Sequence, residues 1–138
     1  MSVELFYPLV TEAIRRAETL EDLGAPGTTL AFLDLSLLEE RIAEALPASD
    51  AEGALARRGA VRAALAAREF IRARELVERF LAEPGTNGEL RDELLQLVKQ
   101  AEQSSAARFP RVAARYGLPE VRRLAQALAR QEAPFPIG

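Results

Sequence analysis

Residues 54–83 read ALARRGAVRAALAAREFIRARELVERFLAE, thirty residues with no Pro and a single Gly. Alanine, leucine, arginine and glutamate lose little freedom on entering a helix, so the stretch is close to obligately helical. Its apolar face does not stay in line. Over 54–66 it is carried by Leu55, Val61 and Leu65, with Arg58 and Arg62 near its edge. Over 70–81 it is carried by Phe70, Ala73, Leu76, Val77, Phe80 and Leu81. At 100° per residue the two arcs are offset by about a sixth to a quarter of a turn. One kinked helix, or two helices broken between Ala66 and Phe70, would each reconcile them. Phe70, Leu76, Val77, Phe80 and Leu81 are the expected centre of the core.

The flanks have the same texture. Pro8 suits the start of a helix, and Leu9, Val10, Ala13, Ile14, Ala17 and Leu20 recur at helical spacing up to a stop at Gly24. Residues 29–46 form a second helical region ended by Pro47. Ser36-Leu37-Leu38-Glu39 has capping-box spacing, so this helix starts either near 29 or at Ser36. In the second case TTLAFLDL is a separate turn or an extended piece. Ser49 to Glu52 and Thr86 to Glu89 repeat the same spacing and open two further helices. The last two helices begin at Pro110 and Pro119, the final stripe being Val121, Leu124, Ala125 and Leu128. Short loops favour antiparallel neighbours. The expected fold is therefore all-α, six or seven helices in an antiparallel bundle or small stack of helical hairpins. It forms a single domain over 1–132, with an extended Pro-containing tail at 133–138.

Composition narrows the chemistry. The 138 residues include no His, no Cys and no Trp. Ser–His and Cys–His nucleophiles are excluded, as are disulfides and thiolate metal sites. Carboxylate pairs such as Glu39 with Glu40 and Glu44, or Asp92 with Glu93, lack the histidines of a helical-bundle metal centre. No metal or other cofactor is expected, and no catalytic constellation is apparent. No apolar run approaches the ~20 residues that cross a bilayer. The N-terminus lacks the pattern of a signal peptide. A cytoplasmic protein without membrane contact is the expectation.

Charge is unevenly spread. Residues 1–53 hold eleven acids and three bases, residues 54–82 seven Arg and three Glu, and residues 104–131 six Arg and Glu120 alone. An acidic front and basic segments behind it can attract each other within one molecule or between copies. Two faces stand out. Arg68, Arg72, Glu75 and Arg79 lie on one side of a helix and form a candidate groove rim, with Glu75 and Arg79 at favourable i,i+4 spacing. Arg108, Arg111, Arg115, Arg122, Arg123 and Arg130 form a basic face that could contact a protein partner or nucleic-acid phosphates. Residues 112–128 have the outline of a helix-turn-helix. However, Pro119 starts the second helix immediately, and Val121 and Leu124 fall about two places early for its packing.

The reading is a non-enzymatic helical protein-interaction module: an adaptor, assembly subunit or regulator that binds a protein partner or itself. The alternative is a nucleic-acid-associated subunit using the basic face of 108–130.

Overall fold

The computed structural model describes the backbone of residues 3–108 and the side chains of residues 3–103. The helices expected from Pro110 and Pro119 and the tail at 133–138 lie outside the described residues. So do Arg111, Arg115, Arg122, Arg123 and Arg130, and the side chain of Arg108.

A 3-10 turn, Val3–Leu5, leads into α1 (Tyr7–Leu23), α2 (Thr28–Ala45), α3 (Ala51–Ala66), α4 (Phe70–Ala82) and α5 (Gly88–Arg108). No strand occurs among the described residues. Five α-helices stand among the described residues, against six or seven expected for the whole chain, two of them from Pro110 and Pro119, and residues 28–45 form one uninterrupted helix. Ser36 does not cap it. Its buried hydroxyl donates to the Ala60 carbonyl of α3 at 2.7 Å. A tertiary partner has claimed the group that the local spacing assigned to a helix start.

The ends of the elements follow their residues. Pro8 sits in the first turn of α1. Gly24 closes that helix at φ 61°, where a side chain would be strained. The N–H of Gly24 bonds Glu21 O at 3.0 Å and that of Ala25 bonds Leu20 O at 2.9 Å. This is a Schellman stop, and the four-residue link 24–27 returns the chain antiparallel as α2. Asp50, not Ser49, caps α3: its carboxylate accepts from the N–H groups of Glu52 at 2.8 Å and Gly53 at 3.3 Å. Asn87, not Thr86, caps α5, accepting from the Leu90 N–H at 2.8 Å. Thr86 instead donates to Phe80 O at the end of α4.

Residues 54–83 form two helices, not one kinked one. The break is a second Schellman stop, with Arg68 N–H on Leu65 O at 3.0 Å and Glu69 N–H on Ala64 O at 2.9 Å. Arg68 takes φ 62°, a conformation usually left to glycine and costing other residues about 1–2 kcal/mol.

α3 is the central helix, packed against α2, α4 and α5, while α4 and α5 also pack together. Its alanines explain the position. Gly53, Ala54, Ala56, Ala60, Val61, Ala63 and Ala64 are buried, with Arg57 the one long side chain among them, so most of the α3 surface is small enough for three neighbours to approach closely. At Gly53 a Cβ would overlap the carbonyl oxygen of Pro47, so the loop before α3 lies directly on the helix. Leu76, Val77, Phe80, Leu90 and Leu94 fill the space around α3. Phe70 and Leu81, also expected at the centre, are only half-buried. Leu55 is exposed rather than part of the core stripe.

Among the described residues α1 is peripheral: apart from the 3-10 turn before it, its main packing partner is α2. Val10 reaches the main core, joined at its edge by Phe6, Tyr7 and Ala13. The Tyr7 hydroxyl also donates to the Glu52 carboxylate at the start of α3. Beyond that end, α1 buries only Ala17. Ala17 and, on α2, Ala31 are buried within the hairpin but do not belong to the main core. The α1–α2 tip therefore extends past the body of the fold.

Candidate interaction surface

The expected groove rim divides. Arg72 and Arg79 both reach back to Glu40 of α2, at 2.8 Å and 2.7 Å. The Nε of Arg72 also donates to Ser36 Oγ at 3.1 Å. Four residues of α2 and α4 thus form one polar tie outside α3. Burial pushes the Glu40 carboxyl up, but the hydrogen bonds and charges of the two arginines together outweigh it and hold the carboxyl below its ordinary value. Arg68 and Glu75 are exposed. Arg79 pairs with Glu40 and not with Glu75, and the intrahelical pair on α4 is Arg74 with Glu78 at 3.0 Å.

Arg79 does line a concavity of about 500 Å³, between the end of α2 and helices α3 and α4. Its floor holds Arg57, which is 2% exposed. This guanidinium pairs with Glu83 at 2.7 Å. It also donates to the carbonyls of Gly53 at 2.8 Å, Ala43 at 2.9 Å and Leu46 at 3.0 Å. Ala43 and Leu46 lie at the end of α2, where carbonyls lack helical partners, so Arg57 acts as a side-chain cap from the neighbouring helix. The Phe80 ring lies under both Arg57 and Arg79, with centroid distances of 5.5 Å and 5.2 Å. The concavity is polar, and its cationic groups already have partners. It is a joint of the fold, with no cation left free for a ligand.

Glu39, one position before Glu40, is the opposite case. It is half-buried with no hydrogen bond or ion pair among the described residues, and burial pushes its carboxyl up to about 7. Gly59 makes room for it: a Cβ there would come within 2.6 Å of Glu39 Oε2. Because the folded value lies above the unfolded one, the native state holds the extra proton between about pH 4.5 and 7. Stability from this group is therefore highest in acid and falls as pH rises through that window. Glu39→Gln should stabilise the protein near pH 8 by on the order of 1 kcal/mol, a figure reduced for the water that reaches the carboxyl, and change little near pH 4. Urea midpoints at the two pH values check this. An equal effect at both would mean that the charge carries no penalty.

A second concavity, about 440 Å³, runs between α1 and α2 and has no counterpart among the faces read from sequence. Leu9, Ala13, Leu37 and Leu38 line it, together with Glu12, Arg16 and Asp34. Helical spacing extends this face along both helices. Leu9, Arg16 and Leu23 recur every seven residues on α1, as Leu30 and Leu37 do on α2. The leucines are open to water: Leu9 is 53% exposed, Leu23 73%, Leu30 59% and Leu37 45%. Arg16 and Asp34 share the groove but form no ion pair or hydrogen bond among the described residues. Glu12 has only an exposed contact with Arg15 at 3.2 Å.

Among the described residues no group of three or more carboxylates is placed to hold a metal ion, and no helix is long and apolar enough to cross a membrane. Comparison with protein-family models, with curated proteins and with solved structures gives no match for the chain.

Proposed function

We propose that the chain is a non-enzymatic protein-interaction module, an adaptor, assembly subunit or regulator, that docks its partner on the outer face of the α1–α2 hairpin. The observation that carries this reading is the exposure of Leu9 and Leu37 in a groove that also holds Arg16 and Asp34, with Leu23 and Leu30 exposed further along the same helical face. Fully burying one leucine side chain is worth about 1.5–3 kcal/mol, so four on one face hold a substantial driving force for association. An apolar strip with charged groups beside it is the make-up of a surface that binds another helix. The absence of His and Cys from the chain agrees with a role in contact rather than catalysis.

No observation among the described residues favours the nucleic-acid reading, whose face at 108–130 lies outside them. Among the described residues Arg57, Arg58, Arg72, Arg74 and Arg79 all face carboxylates, which leaves them poorly placed to grip phosphates.

The test is a photo-crosslinking side chain placed at Leu37, with a control at the exposed Glu78 on α4. Crosslinking to a protein in the source cells at position 37, and much less at 78, is the expected result. Equal capture at both positions, or none at 37, would remove the hairpin face as the docking surface.

A further inference from the structure

We infer that the occupant of the α1–α2 face is a second copy of this chain, packed so that Arg16 of each copy meets Asp34 of the other. The inference rests on the reading of this face as a docking surface and names its partner.

The argument starts from the unused charges. Arg16 and Asp34 line one groove with opposite signs, yet neither makes an ion pair within the described residues. Elsewhere on the molecule opposite charges at comparable positions do find each other, as Glu40 does with Arg72 and Arg79. A surface with Arg16 on one helix and Asp34 at about the same level on the other, Glu12 one turn from Arg16 and leucines on both sides, pairs cation with anion when it meets itself.

Symmetry then gives the geometry. α1 and α2 are antiparallel and joined by the link 24–27, so Arg16, eight positions before the link, lies about level with Asp34, seven positions after it. In a dimer of identical faces the two-fold axis lies in the interface. An axis running along the helices places each α1 over α2 of the other copy, antiparallel to it. Arg16 then lies over Asp34 of the second copy, and the reverse pair forms by symmetry. Leu9 and Leu37 at one end, and Leu23 and Leu30 at the other, meet the same residues of the second copy. All four neighbouring helices run antiparallel, the arrangement of a four-helix bundle.

The size is sufficient. Helices of 17 and 18 residues are about 26 Å long, and two side by side are about 20 Å wide. The footprint is roughly 500 Å² per copy in projection, and the ridged helix surface exposes more than its projection. Two copies together therefore pass the roughly 1,000 Å² at which a specific interface begins, at the small end of the range. A reversible dimer is expected rather than a permanent one.

The experiment is sedimentation of the full chain over a concentration series, with circular dichroism confirming that each variant keeps its helix content. The parent should dimerise, and Leu37→Arg should be monomeric. Arg16→Asp and Asp34→Arg should each weaken dimerisation by about tenfold or more, because each places like charges opposite one another. The double variant Arg16→Asp/Asp34→Arg should dimerise again, and an equimolar mixture of the two single variants should form a heterodimer. Neither rescue can arise from misfolding. A parent that stays monomeric at about 100 µM overturns the inference, whether the face is bare or covered by the chain's own residues. A dimer indifferent to the charge reversals or to Leu37→Arg overturns it too. A monomer that still crosslinks another protein through position 37 sinks the second copy and leaves the docking surface standing. A monomer with no crosslink there sinks both.

Discussion

Arg57→Ala should lower stability by about 3–5 kcal/mol, the range for removing one partner of a buried ion pair. Glu83 can recover part of the loss, since its carboxylate is 30% exposed and can turn to water. The carbonyls of Ala43 and Leu46, at the end of α2, are less able to do so, and an unsatisfied buried acceptor costs roughly 1–3 kcal/mol. A domain of this size has about 5–15 kcal/mol in all, so the variant would be near the edge of folding. Urea melts measure it. Arg57→Lys should recover less than half, because an ammonium cannot span three carbonyls and a carboxylate as the planar fork does. A lysine variant equal to the parent would show that charge alone, and not the geometry of the cap, is needed. Arg74→Ala is the control: its pair is on the surface and should be worth about 0.5 kcal/mol or less.

Phe80→Ala is expected to cost about 3–5 kcal/mol, for the area returned to water and the cavity left behind. The ring is 2% exposed and stands where α4 faces α3. Part of its contribution is shared with Arg57 and Arg79, whose guanidiniums lie over it. Each such contact is worth about 0.5–1 kcal/mol. The combined variant Arg57→Ala/Phe80→Ala should therefore lose less than the sum of the two single losses, by at least about 0.5 kcal/mol. Guanidinium melts of the parent, the singles and the double complete the cycle. Coincident melts for Phe80→Ala and the parent would place the ring outside the core.

Some of this was legible in the residues and some was not, for physical reasons. The start and stop of α1 are written in Pro8 and Gly24, since both act through backbone geometry that needs no tertiary partner. The break between α3 and α4 shows in the phase slip between Val61 and Phe70. The two caps were misplaced by one residue each because Ser49-Asp50 and Thr86-Asn87 are both pairs of residues able to cap. Backbone dihedrals at Asp50, φ −82° and ψ 138°, decide between neighbours of equal chemistry. The spacing at Ser36 leaves the start of α2 open because the partner that claims its hydroxyl is twenty-four residues away. The alanine content, which composition alone cannot interpret, becomes the packing surface of α3. Arg57 had no local signal: one arginine among seven in its segment looks like the rest, and the carbonyls it binds come from other parts of the chain. The leucine face of α1 and α2 was hidden for a different reason. Helical periodicity marks a stripe as apolar, whether a neighbour covers it or water does.

The hairpin tip that runs past the main core also bears on motion. Opening residues near 14–31 breaks the contacts around Ala17 and Ala31 but leaves the α3–α4–α5 packing in place. That end of the molecule is then a cooperative unit of its own, with an opening free energy below that of global unfolding. Part of the proposed docking face is carried by this unit. A partner bound there selects the closed tip from an ensemble, so its affinity includes the free energy of keeping the tip shut. Ala17→Gly, a change buried inside the hairpin rather than on its outer face, should weaken association by making the open state more populated.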